Sequence, residues 1–345
     1  MGCLSYPRLS GASDVVVEQG YLGIYPWVLA VDHLACQSRL LFQPNCPPET
    51  RLKVLERLQH EGEILRDFKL IADFSNDLSE QEYEQSFLRI SDYIEAGDCY
   101  QVNLTQRFSG HFTGHPFAAY QRLRQTTGKP FSSYLGWRDQ ALLCLSPERF
   151  IQVENQQVTT QPIKGTRPRS TDPTEDQRLA AELLESEKDR AENLMIVDLL
   201  RNDLGTVCEL GSIHVTRLFD LKRFDNVFHL VSTVKGSLPD SVTPLELFRN
   251  CYPGGSVTGA PKLRAMEIIE ELETHRRELY CGHMLYQGFN GCMDSNITIR
   301  SLVCRQQEIF CWAGGGIVAD SECDQEYREC FDKIHSLINT LQDKV

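Results

Sequence analysis

What the sequence lacks narrows its reading first. No apolar run approaches the ~20 residues that a membrane-spanning helix needs, and the N-terminus carries no secretory signal core. Met1-Gly2-Cys3 raises the question of lipidation, but Tyr6 stands where a myristoylation pattern wants Ser or Thr. Positive charge is in deficit: the net charge is −13, whereas a nucleic-acid binder normally shows a basic footprint. The chain has 13 cysteines yet no CxxC pair, and several (Cys144, Cys304, Cys311) fall inside apolar strand patterns. That distribution describes buried, reduced thiols of a cytoplasmic protein rather than a zinc site or a disulfide framework. The sequons at Asn103 and Asn296 carry no weight in such a compartment. There is no linker, low-complexity tract or short-period repeat.

What is present reads as one domain over 15–345, preceded by residues 1–14, whose lack of periodicity predicts a disordered or shortened leader. Gly23–Asp32 and Ser38–Phe42 read as a hairpin, and Tyr100–Phe108 alternates as a half-buried strand. Helical spacing predicts helices over Glu49–His60 (with Leu52, Leu55 and Leu58 apolar), Glu80–Ala96, Pro116–Thr127, Asp172–Arg201 and Glu322–Leu341. Strands outnumber helices and come in adjacent pairs, which predicts an α+β fold with largely antiparallel sheets.

Three groups of residues could carry chemistry. In Gln161–Arg169, Pro162 and Pro168 restrict the backbone around Lys164, and Gly165 permits close approach to whatever the lysine faces. A solvated lysine in a connecting loop is the plainer alternative. On the last helix, Tyr327, Cys330, Ile334, Leu337 and Leu341 fall in a core-facing arc of roughly 120°. Glu326, Glu329 and Lys333 flank that arc, and Glu192 stands on the long helix before it. Those carboxylates can converge on a divalent cation or form a surface Glu–Lys ladder. Gly254–Lys262 and Gly314–Gly316 read as glycine-rich loops at helix starts, where free N–H groups favour an anion. Neither fits a nucleotide site. The first lacks P-loop spacing, and too little chain follows the second to supply a ribose-binding acid.

Five motifs in order then resemble one family, the chorismate-utilising enzymes: Pro162–Arg169, Asp189–Gly205, Pro253–Lys262, Asn290–Arg300 and Ala313–Ser321. These are the synthase subunits for aminodeoxychorismate and anthranilate, with the isochorismate and salicylate synthases. The resemblance runs from about residue 20 to the C-terminus. It implies the family's fold, two packed, largely antiparallel sheets flanked by helices, here N-terminally shortened because family members carry a further segment in front. Lys164 stands where the anthranilate branch resembles this motif with Ala and the aminodeoxychorismate branch has Lys.

The resemblance implies that the Lys164 amine attacks ring carbon 2 of Mg²⁺-bound chorismate and the 4-hydroxyl departs. Ammonia from a glutamine amidotransferase partner then adds at carbon 4. The product would be 4-amino-4-deoxychorismate, on the way to p-aminobenzoate and folate. A lysine nucleophile must be neutral, so a depressed pKa is expected of it. By the same carry-over Glu148 is the general acid/base and His229 sits over the ring. Glu192 and Glu329 hold Mg²⁺ with Glu326 close by. Arg300 and Tyr280 take the enolpyruvyl carboxylate near Lys333 and the Gly314 and Gly316 amides, and Thr258 joins the substrate-binding set. The competing readings are a sister activity, anthranilate or isochorismate synthesis, and an inactive subunit that only binds chorismate.

Overall fold

The run Ala141-Leu142-Leu143-Cys144-Leu145 is apolar on both faces, which requires cover on both sides of its sheet. The computed structural model describes residues 1–10, 14–16, 20–60, 62 and 65–342, and there the strand Gln140–Ser146 is covered in this way. Leu143 and Leu145 pack with Tyr83, Ile90, Leu123 and Ile334 in a core between sheet and helices. Leu142 and Cys144 point the other way, into a second core with Phe150, Val153 and Met284 from a facing sheet. Period-two alternation thus assigns consecutive residues to two different cores.

The sheet in the middle runs in the order Phe131–Trp137, Gln140–Ser146, Ser301–Arg305, Glu308–Ile317, Gln101–Thr113 and Gly259–Ala260. The facing sheet runs Ile163–Pro168, Val227–Ser237, Gln157–Thr160, Arg149–Glu154, Met293–Ile297, His283–Gln287, Gly2–Leu4 and Gly20–Leu22. Pairings within both are antiparallel. Helices Glu80–Glu95, Pro116–Thr127, Lys262–Leu272 and Cys323–Leu341 cover the outer face of the middle sheet. The α+β architecture of two packed antiparallel sheets flanked by helices therefore stands. Among the described residues, no helix is long and apolar enough to cross a membrane.

Several sequence expectations need correction. A disordered leader at 1–14 does not hold for Gly2–Leu4, which pairs with His283–Gln287 and Gly20–Leu22 and buries Cys3 completely. Residues 11–13 lie outside the described residues. The periodic leucines of the helix Pro48–Gln59 do not form a buried face: Leu52, Leu55 and Leu58 are 61%, 46% and 51% exposed, and Val54 is the buried residue of that helix. The single helix expected over Asp172–Arg201 is two, Pro173–Glu185 and Glu187–Gly205. Ser186 breaks it by adopting extended backbone and accepting a hydrogen bond from Asp189 N–H, the usual role of a serine N-cap.

Candidate active site

The site is built where the strand Ile163–Pro168 departs from regular pairing. Its register against Val227–Ser237 shifts between Ile163 and Thr166, so Lys164 and Gly165 occupy a bulge. Gly165 has φ +80°, and a Cβ there would stand 2.8 Å from Leu183 Cδ1 and 2.9 Å from Asp189 Cγ. Only glycine lets the bulge lie this close to the helices, and the bulge turns Lys164 into a cavity of about 1020 Å³. Its Nζ lies 3.4 Å from Glu192 Oε2, with the two side chains 14% and 17% exposed.

Glu148 enters the same cavity from the turn between Ser146 and Arg149, where its N–H donates to Ser146 Oγ. Ser256 Oγ donates to Glu148 Oε1 at 3.0 Å. Burial raises this carboxyl from 4.5 to about 7, against the opposing pull of the Ser256 hydrogen bond and the Lys164 charge. A group poised there can hold a proton and release it near neutrality. His229 pairs with Thr166 across the strands, and its Nδ1 lies 2.9 Å from Thr166 Oγ1. Burial first, then the charges of Lys129 and Arg300, push the imidazole down to about 4, so it is neutral at pH 7.

The far wall comes from the middle sheet and the last helix. Gly314–Gly316 is not a loop at a helix start; it lies inside the strand Glu308–Ile317, paired with Gln101–Thr113. Thr105 N–H donates to Glu273, and the Gly314 carbonyl accepts from Lys333 Nζ at 2.8 Å, so Gly314 and Thr105 form a non-hydrogen-bonded pair. The Gly314 and Gly316 amides consequently face the open edge beyond the end of Ser301–Arg305, on the cavity side. Gly315 is small for another reason, since a Cβ would meet Glu326 Oε2 at 2.7 Å.

From the helix Cys323–Leu341, Lys333 Nζ also reaches Glu329 Oε1 at 2.5 Å. Burial alone would raise Glu329, but Lys333 holds it below the usual range. Glu326 is buried, accepts from Ser321 Oγ and lies 3.6 Å from Lys188 Nζ. Burial, followed by the neighbouring Glu329 charge, pushes it up. Tyr280 lies on the cavity wall parallel to Trp312, ring centroids 6.0 Å apart. Arg300, at φ +52°, presents its guanidinium to the cavity with no carboxylate within ion-pair reach among the described residues.

A model of the chorismate binding enzymes matches residues 6–339 of this chain. The chain belongs to that family. Aminodeoxychorismate synthase component 1 of Escherichia coli (strain K12) is 46% identical over 338 residues, 98% of this chain and 74% of that protein. Anthranilate synthase component 1 of Thermus thermophilus is 44% identical over 271 residues, 79% of this chain and 59% of that one. Among solved structures, anthranilate synthase component I from Streptococcus pneumoniae TIGR4 superimposes with a TM-score of 0.85 at 32% identity, covering 98% of this chain and 80% of that chain. The Escherichia coli menaquinone-specific isochorismate synthase MenF shares the fold, with a TM-score of 0.74 at 21% identity over 88% of this chain and 72% of that one.

In this chorismate binding enzyme most residues picked from sequence line one cavity: Lys164, Glu148, His229, Arg300, Tyr280, Lys333, Gly314, Gly316, Glu192, Glu326 and Glu329. Thr258 does not. It is fully buried behind the wall, its hydroxyl donating to the Gly254 and Gly255 carbonyls, and it braces the turn rather than touching the cavity. Ser256, two residues earlier, is the hydroxyl that reaches the site, and sequence reasoning passed over it. Lys129, Lys188 and Asn103 were missed as well. The three candidate metal carboxylates share the cavity, but each has a lysine partner. Among the described residues, no group of three or more His, Cys, Asp or Glu side chains gathers to hold a metal. A smaller cavity of about 330 Å³, behind the buried Arg277–Glu273 pair, contains none of the predicted site residues.

Proposed function

We propose that this chorismate binding enzyme aminates chorismate to 4-amino-4-deoxychorismate with ammonia supplied by a glutamine amidotransferase partner. The observation that carries the reading is Lys164, an amine turned by a glycine bulge into the cavity that also holds Glu148. The 46% identity to a protein named aminodeoxychorismate synthase component 1 supports it, and the word component supports a partner. In the proposed sequence the Lys164 nitrogen bonds to ring carbon 2. The two ring double bonds shift and the carbon 4 hydroxyl leaves with the proton that Glu148 holds. Ammonia then bonds to carbon 4, the double bonds shift back and the Lys164–carbon bond breaks. A carboxyl near 7 suits the first half as donor and the second as acceptor. The neutral His229 can lie against the ring without adding charge.

The donor chemistry of the site fits Mg²⁺, which takes hard carboxylate oxygens, commonly from one or two residues with water and ligand oxygens completing the shell. Glu192, from the helix Glu187–Gly205, and Glu329, from the last helix, are the candidates to hold it, with Glu326 one turn before Glu329. When bound, the ion would supply positive charge against the ring carboxylate. Lys164 and Lys333, now paired with Glu192 and Glu329, are the cations that exchange partners as an anionic ligand enters.

The test is product analysis by mass spectrometry with chorismate, Mg²⁺ and ammonium. Aminodeoxychorismate supports the reading, whereas anthranilate or isochorismate overturns it.

A further inference from the structure

The charges lining the cavity are not all held in ion pairs among the described residues, Glu148 and Asp332 among the carboxylates and two of the cations standing outside them. Four ion pairs hold most of them: Lys164–Glu192, Lys188–Glu326, Lys333–Glu329 and Arg167–Asp189. Two cations remain without a carboxylate in ion-pair reach among the described residues, Arg300 and Lys129. Lys129 stands between the helix Pro116–Thr127 and the strand Phe131–Trp137, half-buried, with Nζ 3.5 Å from the amide oxygen of Asn226 on the turn across the opening. Burial and the like charge of Arg300 both act against its protonation, while Asp225 beyond Asn226 favours it from outside ion-pair distance. Lys129, Arg300 and His229 line the same cavity, and the charges of both cations oppose protonation of the imidazole. Two partly desolvated like charges that line one cavity, neither with a carboxylate in ion-pair reach among the described residues, favour an anion between them.

We propose that Lys129 is a substrate-binding residue: together with Arg300 it receives the side-chain carboxylate of the ligand. This rests on the functional reading above and adds a contact that reading does not contain. The wall of paired lysines and glutamates faces the other acid of a dicarboxylate, so the uncompensated end fixes which way round the ligand lies. Lys129 acts on affinity and orientation; it takes no part in bond making.

The test is calorimetric binding of chorismate, with Mg²⁺ present, to the wild type, Lys129→Met, Lys129→Arg and Asn226→Ala. Circular dichroism melting of each variant checks the fold. Lys129→Met should weaken chorismate about 5- to 10-fold, as for loss of one partly screened charge contact. Lys129→Arg and Asn226→Ala should stay within about twofold, since one keeps the charge and the other removes only its tether. The loss in Lys129→Met should shrink as salt rises from about 50 mM to about 500 mM. Equal binding by Lys129→Met overturns the inference, as does an equal loss in Asn226→Ala, which would make Lys129 a brace for the turn. A folded wild type that does not bind chorismate overturns the functional reading and this inference with it. Binding by the wild type with Lys129→Met unchanged overturns this inference alone.

Discussion

Glu148 shows how a single environment sets both proton affinity and stability. Its folded value of about 7 lies above the ordinary 4.5 because burial penalises the carboxylate. The sign follows directly. The folded state holds the proton more tightly than the unfolded chain, so the favourable contribution is complete below about 4.5 and is lost as pH rises through about 7. Glu148→Gln should therefore stabilise the protein at pH 8 relative to wild type, by up to ~3 kcal/mol, and do little at pH 4. Urea denaturation at the two pH values measures this, and a pH-independent difference would contradict the assigned burial effect. The same variant should lose about 100- to 10,000-fold in turnover. Which residues gather in the cavity was legible in sequence where a side chain belongs to an ordered motif, as for Lys164, Glu148 and Arg300. It was not where local hydrogen bonding decides. Thr258 and Ser256 are both hydroxyls of one motif, but Thr258 turns back to the carbonyls of its own turn while Ser256 reaches a carboxylate 108 residues away.

At the scale of elements, the bulge in Ile163–Pro168 and the straight strand Glu308–Ile317 carry the site between them. Gly165→Ala forces a side chain to φ +80° and into Leu183 and Asp189. It should cost about 1–3 kcal/mol, read as a lower denaturant midpoint, and should reduce turnover further by misdirecting Lys164. Full stability in that variant would mean the bulge relaxes without strain. Gly314–Gly316 reads as a loop because a glycine triplet has no intrinsic preference for a strand. Its pairing comes from the long strand Gln101–Thr113, a partner far away in sequence. The break at Ser186 was hidden for the opposite reason, since helical periodicity continues through a residue that caps the next helix.

Over the whole molecule, an α+β fold with largely antiparallel sheets was predictable from paired strands and the packing of two sheets from the family resemblance, but which apolar faces become buried was not. Leu55 and Ile90 look alike in helical sequence, yet Leu55 is exposed and Ile90 fully buried. Ile90→Ala should cost about 2–5 kcal/mol and Leu55→Gln no more than about 0.5 kcal/mol, both read from urea midpoints. Comparable losses would place the helix Pro48–Gln59 against the core and contradict the structure. The protein carries net charge −13, yet Arg300 and Lys129 in its cavity have no carboxylate in ion-pair reach among the described residues. In the proposed reading, local cation placement rather than overall charge draws in an anionic ligand.

The central claim is that Lys164 is the nucleophile of an amination of chorismate. The most direct measurement is mass spectrometry of products formed by wild type and Lys164→Ala from chorismate, Mg²⁺ and ammonium at mildly alkaline pH. Binding of chorismate to both proteins is checked first. The account predicts 4-amino-4-deoxychorismate from the wild type and a loss of at least about 100-fold in the variant, with binding retained. Aminodeoxychorismate made equally well by Lys164→Ala would contradict it.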